Sequence, residues 1–123
     1  GELQVVLQRN RAGHYIADGT INGHSVMFLL DTGATQVALP LPLARRLGLP
    51  LRPGGIGRTA NGDVETWSTR LDNVSLGGLT AQGVAATVLP GMEGEEVLLG
   101  MSYLKRFELI QKGDTLTLRP QRH

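Results

Sequence analysis

The chain has 123 residues, 12 basic against 11 acidic side chains, a formal net charge of +1 and no cysteine. That length suits one domain spanning residues 1–123 with a core of its own, to which a second copy would add buried surface. The interspersed charges build no positive field for phosphates, so nucleic acid is not an expected partner; disulfides and thiolate catalysis are excluded, and His14, His24 and His123 lack ligand spacing, so no metal is expected.

Glycine recurs at short intervals, which suits short strands joined by tight turns, and the expected fold class is all-β. Alternation around Leu3, Val5 and Leu7 predicts a strand over Glu2 to Gln8, and Asn10 to Gly13 supply turn residues. Tyr15 to Ile21 and Ser25 to Leu30 read as a hairpin through Asn22-Gly23, the pair that best accepts the positive φ angles of a type I′ turn. Within it, Val26 to Leu30 is the longest apolar run and is far too short to span a membrane. Val37 to Leu39 predicts a short strand. Pro42 to Leu47 predicts a helix of one to two turns, with proline near its start, Gly48 past its end and Arg45-Arg46 in solvent.

Pro50 to Gly55 is expected to be a loop. A second hairpin, Ile56 to Ala60 and Asp63 to Ser68, again turns at Asn-Gly, with Trp67 packing at its base. Leu71 to Leu76, Leu79 to Ala81 and Val84 to Leu89 read as three further strands, and Met101 to Arg106 as a short helix. Phe107 to Gln111 and Thr115 to Leu118 form a last hairpin through Lys112-Gly113-Asp114.

The first hairpin drives its apolar strand straight into Asp31-Thr32-Gly33-Ala34-Thr35, which leaves a carboxylate exposed at a strand end. Alone, such a tripeptide is an ordinary turn after a strand. Far along the chain, Val97-Leu98-Leu99-Gly100 supplies apolar residues followed by glycine, with the second hairpin lying between. In that order the elements resemble the retropepsin-like aspartic proteases. Arg45-Arg46-Leu47-Gly48-Leu49, Thr59-Ala60-Asn61-Gly62 and Leu99-Gly100-Met101-Ser102-Tyr103-Leu104 are more similar to the bacterial, single-lobed members than to the viral ones.

The resemblance implies a small closed barrel with a flap hairpin, one lobe per chain. With one Asp-Thr-Gly where two acids are needed, it also implies a homodimeric endopeptidase without a cofactor, acting on a protein or peptide held extended beneath the flaps. The chemistry needs a base to activate water and an acid to protonate the carbonyl oxygen. Two carboxylates about 3 Å apart cannot both ionise, so a pair sharing one proton performs both tasks. Asp31 is the implied catalytic residue, and the implied supports are Thr32, bonding across the two-fold, Gly33, Ala34, Thr35, Leu99 and Gly100. Gly33 lets the backbone approach the carboxylate and donate its N–H; Thr35 can bond within the loop, whereas Gln36 departs from the small hydroxyl residue usual there. Ile56, Gly57, Arg58, Thr59, Ala60, Asn61 and Gly62 take the flap position, and Leu89, Pro90 and Met92 line an apolar pocket or merely pack at a strand end. The same resemblance implies a periplasmic setting, with an anchor in a preceding segment. Two alternatives stay open: a catalytically silent peptide-binding module on this fold, and an unrelated β-barrel.

Overall fold

The computed structural model describes residues 3–60 and 62–121. Ten strands and two short helices follow one another as β1 (Val5–Gln8), β2 (Ile16–Ile21), β3 (His24–Leu30), β4 (Val37–Pro40), α1 (Leu41–Arg46), β5 (Arg52–Thr59), β6 (Gly62–Leu76), β7 (Leu79–Leu89), β8 (Val97–Leu99), α2 (Met101–Leu104), β9 (Phe107–Lys112) and β10 (Thr115–Pro120). The class is all-β, as the glycine spacing predicts.

One sheet runs β2-β3-β8-β4-β7-β6-β5, and β2 also pairs with β6 through Thr20 opposite Ser75 and Ile21 opposite Val74. Six strands therefore close into a barrel, while β5 stays outside as an edge. A second sheet of order β1-β10-β9 stands beside it. Phe28, Leu39, Leu71, Leu99, Tyr103 and Leu104 are fully buried, and removing this apolar surface from water is the main force holding the barrel together. The Tyr103 hydroxyl donates to Leu79 O at 2.7 Å, and burial pushes its ionisation well above the usual tyrosine range.

The first hairpin forms as its sequence predicts. Ile21 opposes His24, and Asn22 and Gly23 take φ of 51° and 82° between them, as a type I′ turn demands. Helix α1 has its proline in the first turn. It ends where Gly48, at φ 70°, lets the N–H groups of Gly48 and Leu49 bond to the carbonyls of Arg45 and Ala44. Arg46 pairs with Glu95 on an exposed surface, which contributes little.

Four expectations are corrected. The first strand is seen from Val5, and Glu2 lies outside the described residues. Pro50 to Gly55 is not all loop, because β5 begins at Arg52. An edge strand tolerates Pro53, which lacks a ladder donor, and the register slips between Pro53 and Gly55. The breaks read at Thr69-Arg70 and Gln82-Gly83 are not strand ends, since β6 and β7 stay paired in one register from Trp67–Val88 to Leu76–Leu79. What changes is the buried face, from Leu71 and Val84 to Val74 and Ala81, across Gly83 at φ 62°. Finally, α2 stops at Leu104, and Arg106 instead donates to Gln82 O and Gly83 O. No helix among the described residues is long and apolar enough to cross a membrane.

Candidate active site

The acid is fixed from both sides of the barrel seam. Strand β3 lies parallel to β8, with Leu29 opposite Leu98 and Leu30 opposite Leu99, and the N–H of Asp31 then donates to Leu99 O at 3.1 Å. Immediately afterwards the chain turns, because Ala34 N–H donates to Asp31 O at 3.1 Å. Gly33 N–H donates to the carboxylate itself, at 3.0 Å from Oδ1, and a Cβ on Gly33 would stand only 3.3 Å from that oxygen. Asp31 is half-buried. Its carboxylate thus has one backbone donor and a path to solvent.

Gly100 makes this arrangement possible. A Cβ there would fall 2.2 Å from Gln36 O and 2.8 Å from Ala34 O, so any side chain would push the acid-bearing loop away. Next to it, Met101 N–H donates to Ala34 O at 2.8 Å. The Ser102 hydroxyl accepts from Val37 N–H at 2.9 Å and donates to Ala85 O at 2.7 Å. The start of α2 therefore clamps the loop to β4 and β7.

Thr32 is exposed, and its hydroxyl has no hydrogen-bond partner among the described residues. The Thr35 side chain also makes no bond within the loop, which corrects that expectation: backbone groups hold the loop instead. Gln36 uses its side chain further away, where Oε1 accepts from the Thr87 hydroxyl at 2.8 Å.

The expected flap is a hairpin on the barrel's outer edge. Thr59 opposes Gly62, so the turn comes one residue earlier than read; Asn61 lies outside the described residues. Ile56 is 64% exposed, Arg58 and Ala60 are exposed, and Gly57 packs beside Thr66, Val64 and Leu89. Leu89 is thereby brought to the hairpin's base. Pro90 is exposed and Met92 half-buried, in the turn closed by Met92 N–H to Leu89 O at 3.3 Å. Trp67 packs against the core as expected, yet it also lines a cleft of about 320 Å³ with Pro53 and Ile56.

Sequence reading missed two groups of residues around the acid. Beside Asp31 and Thr32 lies a cleft of about 260 Å³ whose far wall includes Arg9, Tyr15 and Gln111. Arg9 and Gln111 donate to the Tyr15 hydroxyl at 3.2 and 3.5 Å, and Arg9 also pairs with Asp114 at 3.4 Å. Nothing in the spacing of these residues announces their meeting. The second group is a row of directly opposed residues, Ile16–Leu29–Leu98–Ala38–Thr87–Ser68–Arg52, crossing all seven strands on the face away from the core. Its apolar end adjoins Asp31. Alternation within each strand marks these positions, but only strand order brings them into line. Among the described residues, no cluster of three or more His, Cys, Asp or Glu could hold a metal ion.

With this geometry in hand, the chain was compared with known proteins. The family model described as "gag-polyprotein putative aspartyl protease" matches residues 17–106. Among curated sequences, an uncharacterized protein in the cobV 5' region of Sinorhizobium sp. is 34% identical over 97% of this chain and 53% of its own length. Uncharacterized protein RP867 of Rickettsia prowazekii is 30% identical over 85% of this chain and 46% of its own length. The chain spans about half the length of these relatives. A crystal structure of a retropepsin-like aspartic protease from Rickettsia conorii superposes with a TM-score of 0.82 at 30% identity, over 95% of this chain and 90% of that one. EIAV protease in complex with the inhibitor HBY-793 superposes with a TM-score of 0.62 at 24% identity, over 78% and 89% of the two chains, a likeness of fold alone.

Proposed function

We propose, from the premise that this chain belongs to the retropepsin-like aspartic proteases, that it is an endopeptidase whose site is completed by a second copy of itself. The observation that carries the reading is the seat of Asp31. Its backbone N–H donates to Leu99 O behind the strand end, and its carboxylate accepts from Gly33 N–H beside it, with room in front. The chain has a single Asp-Thr-Gly, and a lone carboxylate supplies only half of the proton traffic that amide hydrolysis needs.

Across a two-fold axis, two Asp31 side chains would share one proton. The ionised one takes a proton from water as that water attacks the carbonyl carbon, and the protonated one gives its proton to the carbonyl oxygen. Collapse of the tetrahedral species returns a proton to the leaving amine. Thr32, exposed beside the acid, is the residue we assign to the loop-to-loop contact across the axis. The substrate would lie extended between the apolar end of the row, Leu29, Leu98 and Ala38, and the Gly57–Val64 hairpin, which would close over it to exclude water. The chain is one such lobe, and a periplasmic setting is proposed on the same resemblance.

Digestion of a peptide library by wild type and Asp31→Asn, read by mass spectrometry, tests the reading. Loss of at least about 10²-fold in cleavage with an unchanged fold is expected, because the acid–base step is removed. Specific activity should also fall on dilution towards monomer. An Asp31→Asn protein that cleaves within about tenfold of wild type would remove Asp31 from the mechanism. A wild type that binds peptides without cutting them would favour the silent binding module.

A further inference from the structure

The cleft of about 260 Å³ beside Asp31 has two walls that differ in hydrogen-bonding character. On the far wall Arg9 and Gln111 donate to the Tyr15 hydroxyl at 3.2 and 3.5 Å, and the Arg9 guanidinium lies 5.4 Å from the centre of the Tyr15 ring. Tyr15 is only 9% exposed, and its carbonyl accepts from Leu30 N–H at 3.0 Å, one residue before the acid. A phenol oxygen that accepts twice must turn its own proton elsewhere. That proton has no acceptor among the described residues, an unfavourable state for a buried group until an acceptor arrives.

The near wall belongs to the turn that carries Asp31 and Thr32. Behind that turn, Asp31 O accepts from Ala34 N–H and Ala34 O accepts from Met101 N–H. In front, Thr32, Gly33 and Thr35 are exposed, and neither their carbonyls nor the two threonine hydroxyls have a hydrogen-bond partner among the described residues. One wall thus ends in a donor and the other in acceptors, and within one chain they do not meet. A two-fold axis sets a patch against its own rotated copy, so each donor wall can face the other copy's acceptor turn, twice over. Thr32, the residue assigned to that axis, lines this same cleft.

We propose that this cleft seats the 32–35 turn of a second copy of the chain, with the Tyr15 hydroxyl donating to that turn. The inference rests on the protease reading above and names the surface that completes the site. Arg9 and Gln111 hold the hydroxyl oxygen from behind, so its proton is aimed before the second copy arrives. The pair of contacts fixes the other copy's turn, and with it the other Asp31, against the barrel end that carries the first.

Sedimentation velocity over a concentration series tests the seat. Tyr15→Phe keeps the ring and deletes the donor, and it should raise the dimer dissociation constant about tenfold or more, because a hydrogen bond is worth roughly threefold to tenfold and the dimer contains it twice. Arg45→Gln should leave the constant as it is. The chain has no cysteine, which permits a direct check. With Gln111→Cys and Thr35→Cys made separately in the Asp31→Asn protein, a short bis-maleimide should join the two variants when they are mixed. A yield in the mixture no greater than in either variant alone overturns the seat. A Tyr15→Phe dimer within about twofold of wild type overturns it too, while cleavage that falls on dilution keeps the protease reading standing. A Tyr15→Phe protein that raises KM for peptide and leaves the dimer unchanged gives the cleft to substrate and likewise overturns the seat. A dimer loosened by Tyr15→Phe and joined between 111 and 35, yet unable to cleave, keeps the seat and sinks the protease reading.

Discussion

Two hairpins of this chain carry an Asn-Gly pair in sequence, Asn22-Gly23 and Asn61-Gly62, and the fold places the two hairpins in opposite settings. The first is built into the barrel wall. β2 pairs with both β3 and β6, Asn22 N–H donates to Asn73 O at 2.8 Å, and Asn22 Oδ1 accepts from Asn73 N–H at 2.9 Å. Between its strands, Gly19 leaves space that a Cβ would lose to Ser75 O at 2.4 Å and to the Phe28 ring at 2.5 Å. The second hairpin hangs from the barrel with β5 bonded on one side only and Ile56 in solvent. The hairpin that delivers the acid is bonded on both sides, and the one we propose to cover it is bonded on one side only. Local turn chemistry sets neither property; the number of neighbouring strands does.

The largest contrast should appear in native-state hydrogen exchange. Amides of Val26 to Leu30 are expected to open only with global unfolding, roughly 5–15 kcal/mol for a domain. Those of Gly57, Arg58 and Val64 should open at no more than roughly 3 kcal/mol, and a substrate-like inhibitor should slow them. Equal protection in the two hairpins would break the comparison.

A second contrast sets one glycine against another. Gly100→Ala drives a methyl group into the backbone of Gln36 and Ala34 and should cost roughly 3 kcal/mol or more, with loss of any activity. Gly57→Ala meets side chains and no backbone, the nearest being the Thr66 methyl at 2.9 Å, and should cost less, roughly 1–2 kcal/mol, since a side chain shifts more readily than backbone. Urea denaturation of both variants decides between them.

The finest contrast uses two glycines with no atom within 4 Å of a built Cβ, Gly23 at φ 82° and Gly62 at φ 109°. Alanine at either position brings backbone strain of roughly 1–3 kcal/mol and no collision. In the barrel hairpin the full strain should appear in global stability. At the flap tip the loss should be smaller, because strain there is capped by the low cost of opening the hairpin locally. Similar losses of Tm in Gly23→Ala and Gly62→Ala would mean that the flap is as firmly held as the barrel wall.

Much of the architecture was legible because short-range physics writes it. Asn22-Gly23, Gly48 after a helical turn and Lys112-Gly113-Asp114 are local signals, and each lies at the turn or helix end it predicts. Two of the misread segments involve distant partners. Pro53 fits a strand because β5 is an edge, and Gln82-Gly83 lies inside a strand that β6 pairs on both sides of it, with Arg106, far along the chain, donating to both carbonyls. Around the site, Asp31, Gly33 and Gly100 could be named because their motifs, in that order, resemble those of a known family. Arg9, Tyr15, Gln111 and the row from Ile16 to Arg52 could not, since each comes from a different segment.

By itself, then, the sequence determined the all-β class, the turn of the acid-bearing hairpin and the carboxylate at the end of its strand. These depend on backbone freedom at single residues and on alternation along single strands, which a linear chain already contains. Tertiary structure alone decided that β8 would lie between β3 and β4, that one Asn-Gly hairpin would be walled in and the other left at an edge, and that Arg52 would end a row beginning beside the acid. Those outcomes depend on strand order, and strand order is settled when the whole apolar surface is buried at once.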